Sequence, residues 1–274
     1  MVKKVVKAVI PAAGRGLRMR PFSLVLPKEM MPLGRKPVIQ YAVEEAVSAG
    51  IEEICVVIRK GKEIIKDYLR HWDLQRIDGF HRVGFSSCKL TFAQQRRWDG
   101  LGGALRVAQS FVGQDPFLMI IPDQVLIARR LSASRQLLSR YEFEEPAVLS
   151  SMVRVPKKER DYFHGSKGFV IDTRARRRRL LPIGRVRSEA ETRRCFGSLS
   201  YEVRGFGRTV FPARIFQFLT GKFANSKTDE IDLWKTFVEF PKVVPHFGCL
   251  LRGRACDLGT LQGYYHYLPL FVGR

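Results

Sequence analysis

The segment from Ala8 to Pro32, AVIPAAGRGLRMRPFSLVLPKEMMP, constrains this chain more than any other stretch. Its apolar opening, Ala8-Val9-Ile10, reads as a buried strand. The strand breaks into Ala12-Ala13-Gly14 with a second glycine at Gly16. Such residues let a backbone approach a ligand closely and turn its N–H groups toward an anion. Arg15, Arg18, Arg20 and Lys28 follow on a segment interrupted by Pro21 and Pro27 and supply countercharge. Strand, glycine turn and fixed cations together read as a phosphate cradle at the carboxyl end of a sheet strand. The glycines alone are a weak signal. Gly14 and Gly16 lack the third glycine of the dinucleotide fingerprint, and Lys28 lacks the preceding glycine of a P-loop.

The chain beyond the cradle alternates strand and helix patterns. Apolar residues at Val38, Ile39, Ala42, Val43, Ala46 and Val47 mark one helical face, with Gly50 as its C-terminal stop. Ile51 to Ile58 reads as a second buried strand, which completes a βαβ unit. A helix is expected over Gly61 to Tyr68 with Ile64 and Ile65 facing inward, then a strand over Lys89 to Ala93. Gly100 to Gly103 is expected to lead into a helix from Ala104 to Phe111. FLMIIP, Phe117 to Pro122, is an uninterrupted apolar run and hence a central strand ending at Asp123-Gln124. A carboxylate there lies at the ligand-binding edge of an α/β sheet, although a turn or N-cap aspartate fits the position equally. Further on, Leu131 to Tyr141 and Ala213 to Leu219 read as helices, and Ala147 to Val155, Gly168 to Asp172 and Glu202 to Pro212 as strands. Asp229 or Thr228 serves equally well as the N-cap of a later helix.

Composition narrows the function classes. The 274 residues can bury a substantial core, and the 45% hydrophobic fraction argues against general disorder. Five cysteines without a C-x-x-C pair argue against a disulfide framework or a zinc site, and Cys55 in an apolar run reads as a buried thiol. The charged amino terminus runs straight into a strand and no stretch approaches a membrane span, so a reduced, cytoplasmic protein is expected. The formal net charge of +22 is the unusual global feature. Much of it sits in one block, Arg174-Ala175-Arg176-Arg177-Arg178-Arg179, rather than in a stripe interleaved with aromatics. That pattern favours a solvated basic face on a protein with phosphorylated ligands over a nucleic-acid partner.

PAAGRGLRMRPFSLVLPKEMMPL, KPVIQYAVEEAVSAGIEEI, GLGGAL, FVGQDPFLMIIPD, GFGRTVFP, KTDEI and CDLGTLQGYY resemble, in order, the motifs of the sugar-1-phosphate nucleotidyltransferases, and most of all the bacterial UTP–glucose-1-phosphate uridylyltransferases among them. The resemblance implies an α/β, Rossmann-like nucleotidyltransferase fold. Its central sheet would be mixed and mostly parallel, flanked by helices, in a single domain over residues 1–274. It implies a uridylyl transfer from UTP to glucose 1-phosphate, with release of pyrophosphate and help from Mg²⁺. Arg18 and Lys28 match the family's catalytic cations, and Asp123 and Asp229 its metal-holding carboxylates. Ala12, Ala13, Gly14, Gly16, Gln95 and Gly100 match nucleotide-binding positions, and Gly168 the glycine beside the sugar. The partners implied are UTP and a sugar 1-phosphate, with no nucleic acid and no membrane span; a homo-oligomer is expected.

The chain also departs from the family pattern. Leu17 stands for a threonine, Leu24 for a lysine, and Gln124 for the second aspartate of a Pro-Asp-Asp triplet. Arg187 and Ser188 align with a Glu-Lys-Pro motif that contacts the sugar in relatives. Two alternatives therefore stand beside the main reading. One is a transferase of different nucleotide or sugar specificity. The other is a catalytically degraded homologue that binds a nucleotide or polyanion.

Overall fold

The computed structural model describes residues 3–71, 88–141, 147–164, 169–171, 181–186, 200–219, 231 and 244–273. Strand β1 (Lys7–Pro11) leads into the glycine loop and three short 3-10 turns, then a small hairpin of β2 (Pro32–Leu33) and β3 (Lys36–Pro37). Helix α1 (Val38–Ser48) begins directly after Pro37, and Gly50 follows its end with φ 87, the left-handed geometry that glycine tolerates best. Next come β4 (Glu53–Ile58), α2 (Glu63–His71), β5 (Lys89–Gln94), α3 (Gly100–Val107), α4 (Gln109–Val112) and β6 (Phe117–Ile120). The short β7 (Gln124–Ile127), α5 (Ala133–Leu138) and the long β8 (Val148–Pro156) follow. The chain then supplies β9 (Phe169–Ile171), β10 (Leu181–Val186), β11 (Tyr201–Phe211), β12 (His246–Leu250), β13 (Arg254–Asp257) and α6 (Leu261–Tyr267).

Nine strands form one mixed sheet in the order β5-β4-β1-β6-β11-β8-β12-β10-β9. The β5-β4-β1-β6 half is parallel, and β12 is parallel to β8. Only β11 and β10 run against the other seven strands, so the sheet is mostly parallel in direction. Alternation along the strands builds two cores, because successive side chains leave opposite faces. Ala8, Ile10, Ile54, Val56, Leu118 and Ile120 enter one core with α1 and α5. Val9, Cys55, Val57, Phe117 and Met119 enter the other with α3 and α4. A third cluster, with Met19, Leu33, Cys256, Tyr264 and Tyr267, fastens the loop after β1 to α6.

Local differences from the sequence reading have plain causes. The helix expected from Ala104 starts at Gly100, and Ala108 divides it from α4. Gly102 and Gly103 therefore lie inside the helix, where close packing excludes a Cβ. Residues Ala213–Gln217 form a 3-10 helix, and the Leu131 to Tyr141 helix contracts to α5 with Ser132 as a true N-cap. Ile65 is buried as expected, but Ile64 is 46% exposed. β7 follows Asp123 directly, so this aspartate does not cap a helix. β7 pairs with β13 and so brings the CDLG segment back to the end of β6. Asp229, Thr228, Gly168, the Arg174 to Arg179 block, Arg187 and Ser188 lie outside the described residues.

Candidate active site

The carboxyl ends of β1, β5 and β6 open into a cleft of about 1000 Å³. Ala13, Gly14, Arg18, Lys28, Gln95, Gly100 and Asp123 all line it, so the structure gathers these sequence candidates from three separate stretches. Ala12 and Gly16 do not line it; they build its frame. The Ala12 N–H donates to Val57 O at 2.8 Å, and its carbonyl accepts from Lys62 Nζ at 2.7 Å. No backbone group of Ala12 is left for a phosphate. Gly16 has φ 68 and receives the Ser23 hydroxyl on its carbonyl at 2.7 Å. A side chain there is strained by that backbone and would meet Ser23 Cβ at 3.0 Å.

Charge in the cleft is organised around one buried pair. Lys28 Nζ donates to Asp123 Oδ2, and the Asp123 side chain is 7% exposed. Burial alone would lower the Lys28 pKa, but the facing Asp123 carboxylate, with Glu29 nearby, raises it above its ordinary value. Burial likewise works against the Asp123 carboxylate, yet Lys28 and Arg18 hold its pKa below the ordinary range. Lys28 is cationic and Asp123 anionic at neutral pH. Asp257 is the second carboxylate here: burial, then the charge of Asp123, push its pKa up. Gly259 lies against three of these groups. A Cβ there would come 2.8 Å from Asp123 Oδ2, 3.1 Å from Asp257 Oδ1 and 3.3 Å from an Arg18 guanidinium nitrogen.

Several residues shape this site through contacts that the sequence did not reveal. Lys62 is 3% exposed and donates to Glu29 Oε2 at 2.6 Å, which ties α2 to the turn that carries Lys28. Gln124 donates to Asp257 Oδ2 at 3.1 Å and accepts from the Gly207 N–H at 2.7 Å. That is work for an amide, because a carboxylate has no donor to offer Asp257. Trp98 stacks against two guanidinium groups, Arg15 at 4.0 Å and Arg59 at 4.4 Å from its ring centroid. Arg15 and Gln124 were legible in the sequence as residues, but their partners were not. They pair across long sequence distances.

Asp123 and Asp257 present hard oxygen donors, and a divalent ion bound mainly by phosphates needs few protein carboxylates. The donor set fits such an ion. Among the described residues no group of three or more His, Cys, Asp or Glu side chains forms a metal cage.

A family model described as nucleotidyl transferase matches residues 7–164. The chain is also 30% identical over 273 residues to a UTP–glucose-1-phosphate uridylyltransferase of Bacillus subtilis (strain 168), covering 96% of this chain and 89% of that one. The chain belongs to the nucleotidyl transferase family. A second relative, the UTP–glucose-1-phosphate uridylyltransferase 1 of Staphylococcus saprophyticus, is 38% identical over 159 residues, 53% of this nucleotidyl transferase and 54% of its own length. The solved structure of a UDP-glucose pyrophosphorylase complexed with UDP-glucose matches with a TM-score of 0.79. It covers 97% of this chain and 98% of that one at 25% identity. No helix among the described residues is long and apolar enough to cross a membrane.

Proposed function

We propose that this nucleotidyl transferase moves a uridylyl group from UTP to glucose 1-phosphate and releases pyrophosphate. The observation that carries this reading is the convergence of Arg18, Lys28 and Asp123 with Gln95 in one cleft. In the reaction, a phosphate oxygen of the sugar phosphate bonds to the α-phosphorus. The bond from that phosphorus to the bridging oxygen breaks, and pyrophosphate leaves with the electron pair. The attacking oxygen is already anionic at neutral pH, so the protein supplies alignment and charge neutralisation rather than a strong base. Lys28 stands at the reacting phosphates and Arg18 holds the departing ones, while the backbone at Ala13 and Gly14 borders the nucleotide. Gln95 and Gly100 face the base, which is the role family resemblance assigns to their positions.

Mg²⁺ is the metal this reading assigns, held by Asp123, with Asp257 beside it in the cleft and Asp229 the second carboxylate that resemblance names. When bound, the ion would neutralise triphosphate charge. Residues 1–274 act as one nucleotidyltransferase domain, in a homo-oligomer in the reducing cytoplasm. Resemblance assigns Gly168 to the sugar. The test is release of pyrophosphate and formation of UDP-glucose by purified protein with UTP, glucose 1-phosphate and MgCl₂. Turnover that a chelator abolishes is expected. Silence with every common nucleoside triphosphate and sugar 1-phosphate would reject the reading. Because a Glu-Lys-Pro motif is missing from the sequence, competition among sugar 1-phosphates decides the acceptor.

A further inference from the structure

Gln95 follows the last residue of β5, lines the cleft and is 9% exposed. Its backbone N–H is committed to Ile58 O at 2.8 Å. Its side-chain Nε2 donates to Asp99 Oδ1 at 2.6 Å and to the Gly100 carbonyl at 3.0 Å. Both partners are acceptors only, a carboxylate and a backbone carbonyl. The amide therefore has a single orientation. Turned over, it would set its own oxygen against two others. Oε1, with no partner among the described residues, is the atom left for a ligand in the cleft.

The usual explanation for an aspartate before a helix does not hold for Asp99. It occupies the N-cap position of α3, yet its side chain makes no capping bond. One carboxylate oxygen goes to Gln95, and the other accepts from Arg106 at 2.9 Å. Its backbone carbonyl takes the Ile231 N–H at 2.7 Å. The side chain fits only because position 103 is glycine, since a Cβ there would overlap the Asp99 carboxylate. Asp99, Gly103 and Arg106 thus form a built support beneath one side-chain amide.

We propose that Asp99 is a positioning residue for nucleotide selection. It presents Gln95 to the base as an acceptor, and so favours a base whose facing edge carries a donor. The imide N–H of uracil meets that requirement, and thymine shares it. Cytosine carries a bare ring nitrogen at the same position and sets acceptor against acceptor. This inference rests on the proposed function, in which the base lies against Gln95.

The test uses the full chain with Asp99→Asn and, separately, Gly103→Ala. Asp99→Asn keeps the shape but offers a donor as well as an acceptor, so the Gly100 carbonyl alone is left to hold the Gln95 amide in its orientation. Gly103→Ala retains Asp99 and forces it from its place. UTP, dTTP and CTP are compared by equilibrium titration and by kcat/KM with pyrophosphate release as readout. In both variants the preference for UTP over CTP should fall roughly tenfold to a hundredfold, the scale of one lost charge-assisted hydrogen bond. The UTP to dTTP ratio should hold, and the loss should fall on the KM for nucleotide rather than the KM for sugar phosphate. An unchanged UTP to CTP ratio in both variants would overturn the proposal, as would an equal loss for all three nucleotides. Titration keeps the two readings apart: a chain that selects UTP but never releases pyrophosphate defeats the proposed function and leaves the role of Asp99 standing.

Discussion

Lys28 shows how a single side chain acquires its state from its surroundings. Burial opposes its charge, and Asp123 restores it. A fixed cation in a site this enclosed acts on phosphate charge far more strongly than the same group in water. Lys28→Met should therefore lower turnover by about 10²- to 10³-fold, measured as pyrophosphate release at saturating substrate. Retained turnover would remove Lys28 from the reaction. PKEMMP marks Lys28 in the sequence, but nothing in it reveals that Glu29 reaches Lys62 or that Gln124 bridges Gly207 and Asp257. Those pairings span from 33 to 133 positions, which local pattern does not encode.

Among elements, the contact between α1 and β11 has the most at stake. Arg208 is 1% exposed and grips Glu45 with two nitrogens, at 2.9 and 2.6 Å. A third guanidinium nitrogen donates to Ile121 O at 2.9 Å, and the Ser134 N–H joins Glu45 at 2.9 Å. One ion pair thus fastens α1, α5 and the end of β6 to the strand that carries GFG. Burial pushes the Glu45 pKa up, yet Arg208 brings it below its ordinary value. Breaking such a pair leaves a buried charge without its partner, so Arg208→Met should cost about 3–5 kcal/mol in urea unfolding. The double variant Glu45→Met with Arg208→Met should recover much of that loss; additive losses would show that the two side chains act independently. A helical face was legible around Glu45, but its role inside that face was not. Periodicity places a residue on a side of a helix and says nothing of the strand that will meet it.

Over the whole molecule, charge and pH act together. Arg15, Arg18, Lys28, Arg59, Lys60, Arg96 and Arg97 line one cleft in a chain of net charge +22. Such a concave cationic surface draws polyanions such as nucleoside triphosphates. The same chain holds a buried neutral imidazole. His246, on β12, bonds Ser150 Oγ at 2.8 Å, and burial lowers its pKa from 6.5 to about 3. The unfolded chain takes up this proton below about pH 6.5 and the folded chain does not until about pH 3. Stability from this group is thus complete above pH 6.5 and lost progressively as the pH falls toward 3. The slope approaches about 1.4 kcal/mol per pH unit. Urea unfolding across that window should show this slope, and His246→Gln should flatten it; equal slopes would assign the acid sensitivity to the carboxylates.

The amino-acid sequence by itself determined the strand-turn-cation cradle, the βαβ unit and the positions of Lys28 and Asp123. Each of these is written in local chemistry: apolar runs, glycine, proline and fixed charge within one segment. Only the tertiary structure decided that Ala12 and Gly16 frame the cleft rather than line it, that Asp257 comes beside Asp123, and that Asp99 fixes Gln95. The physical reason is that hydrogen-bond partners are shared out after the chain has packed. Ala12 gave its backbone groups to β4 and to Lys62, just ahead of α2, and Gln95 gave its donor to Asp99 and Gly100. A sequence names the groups able to bond. Folding assigns their partners and leaves particular atoms for a ligand.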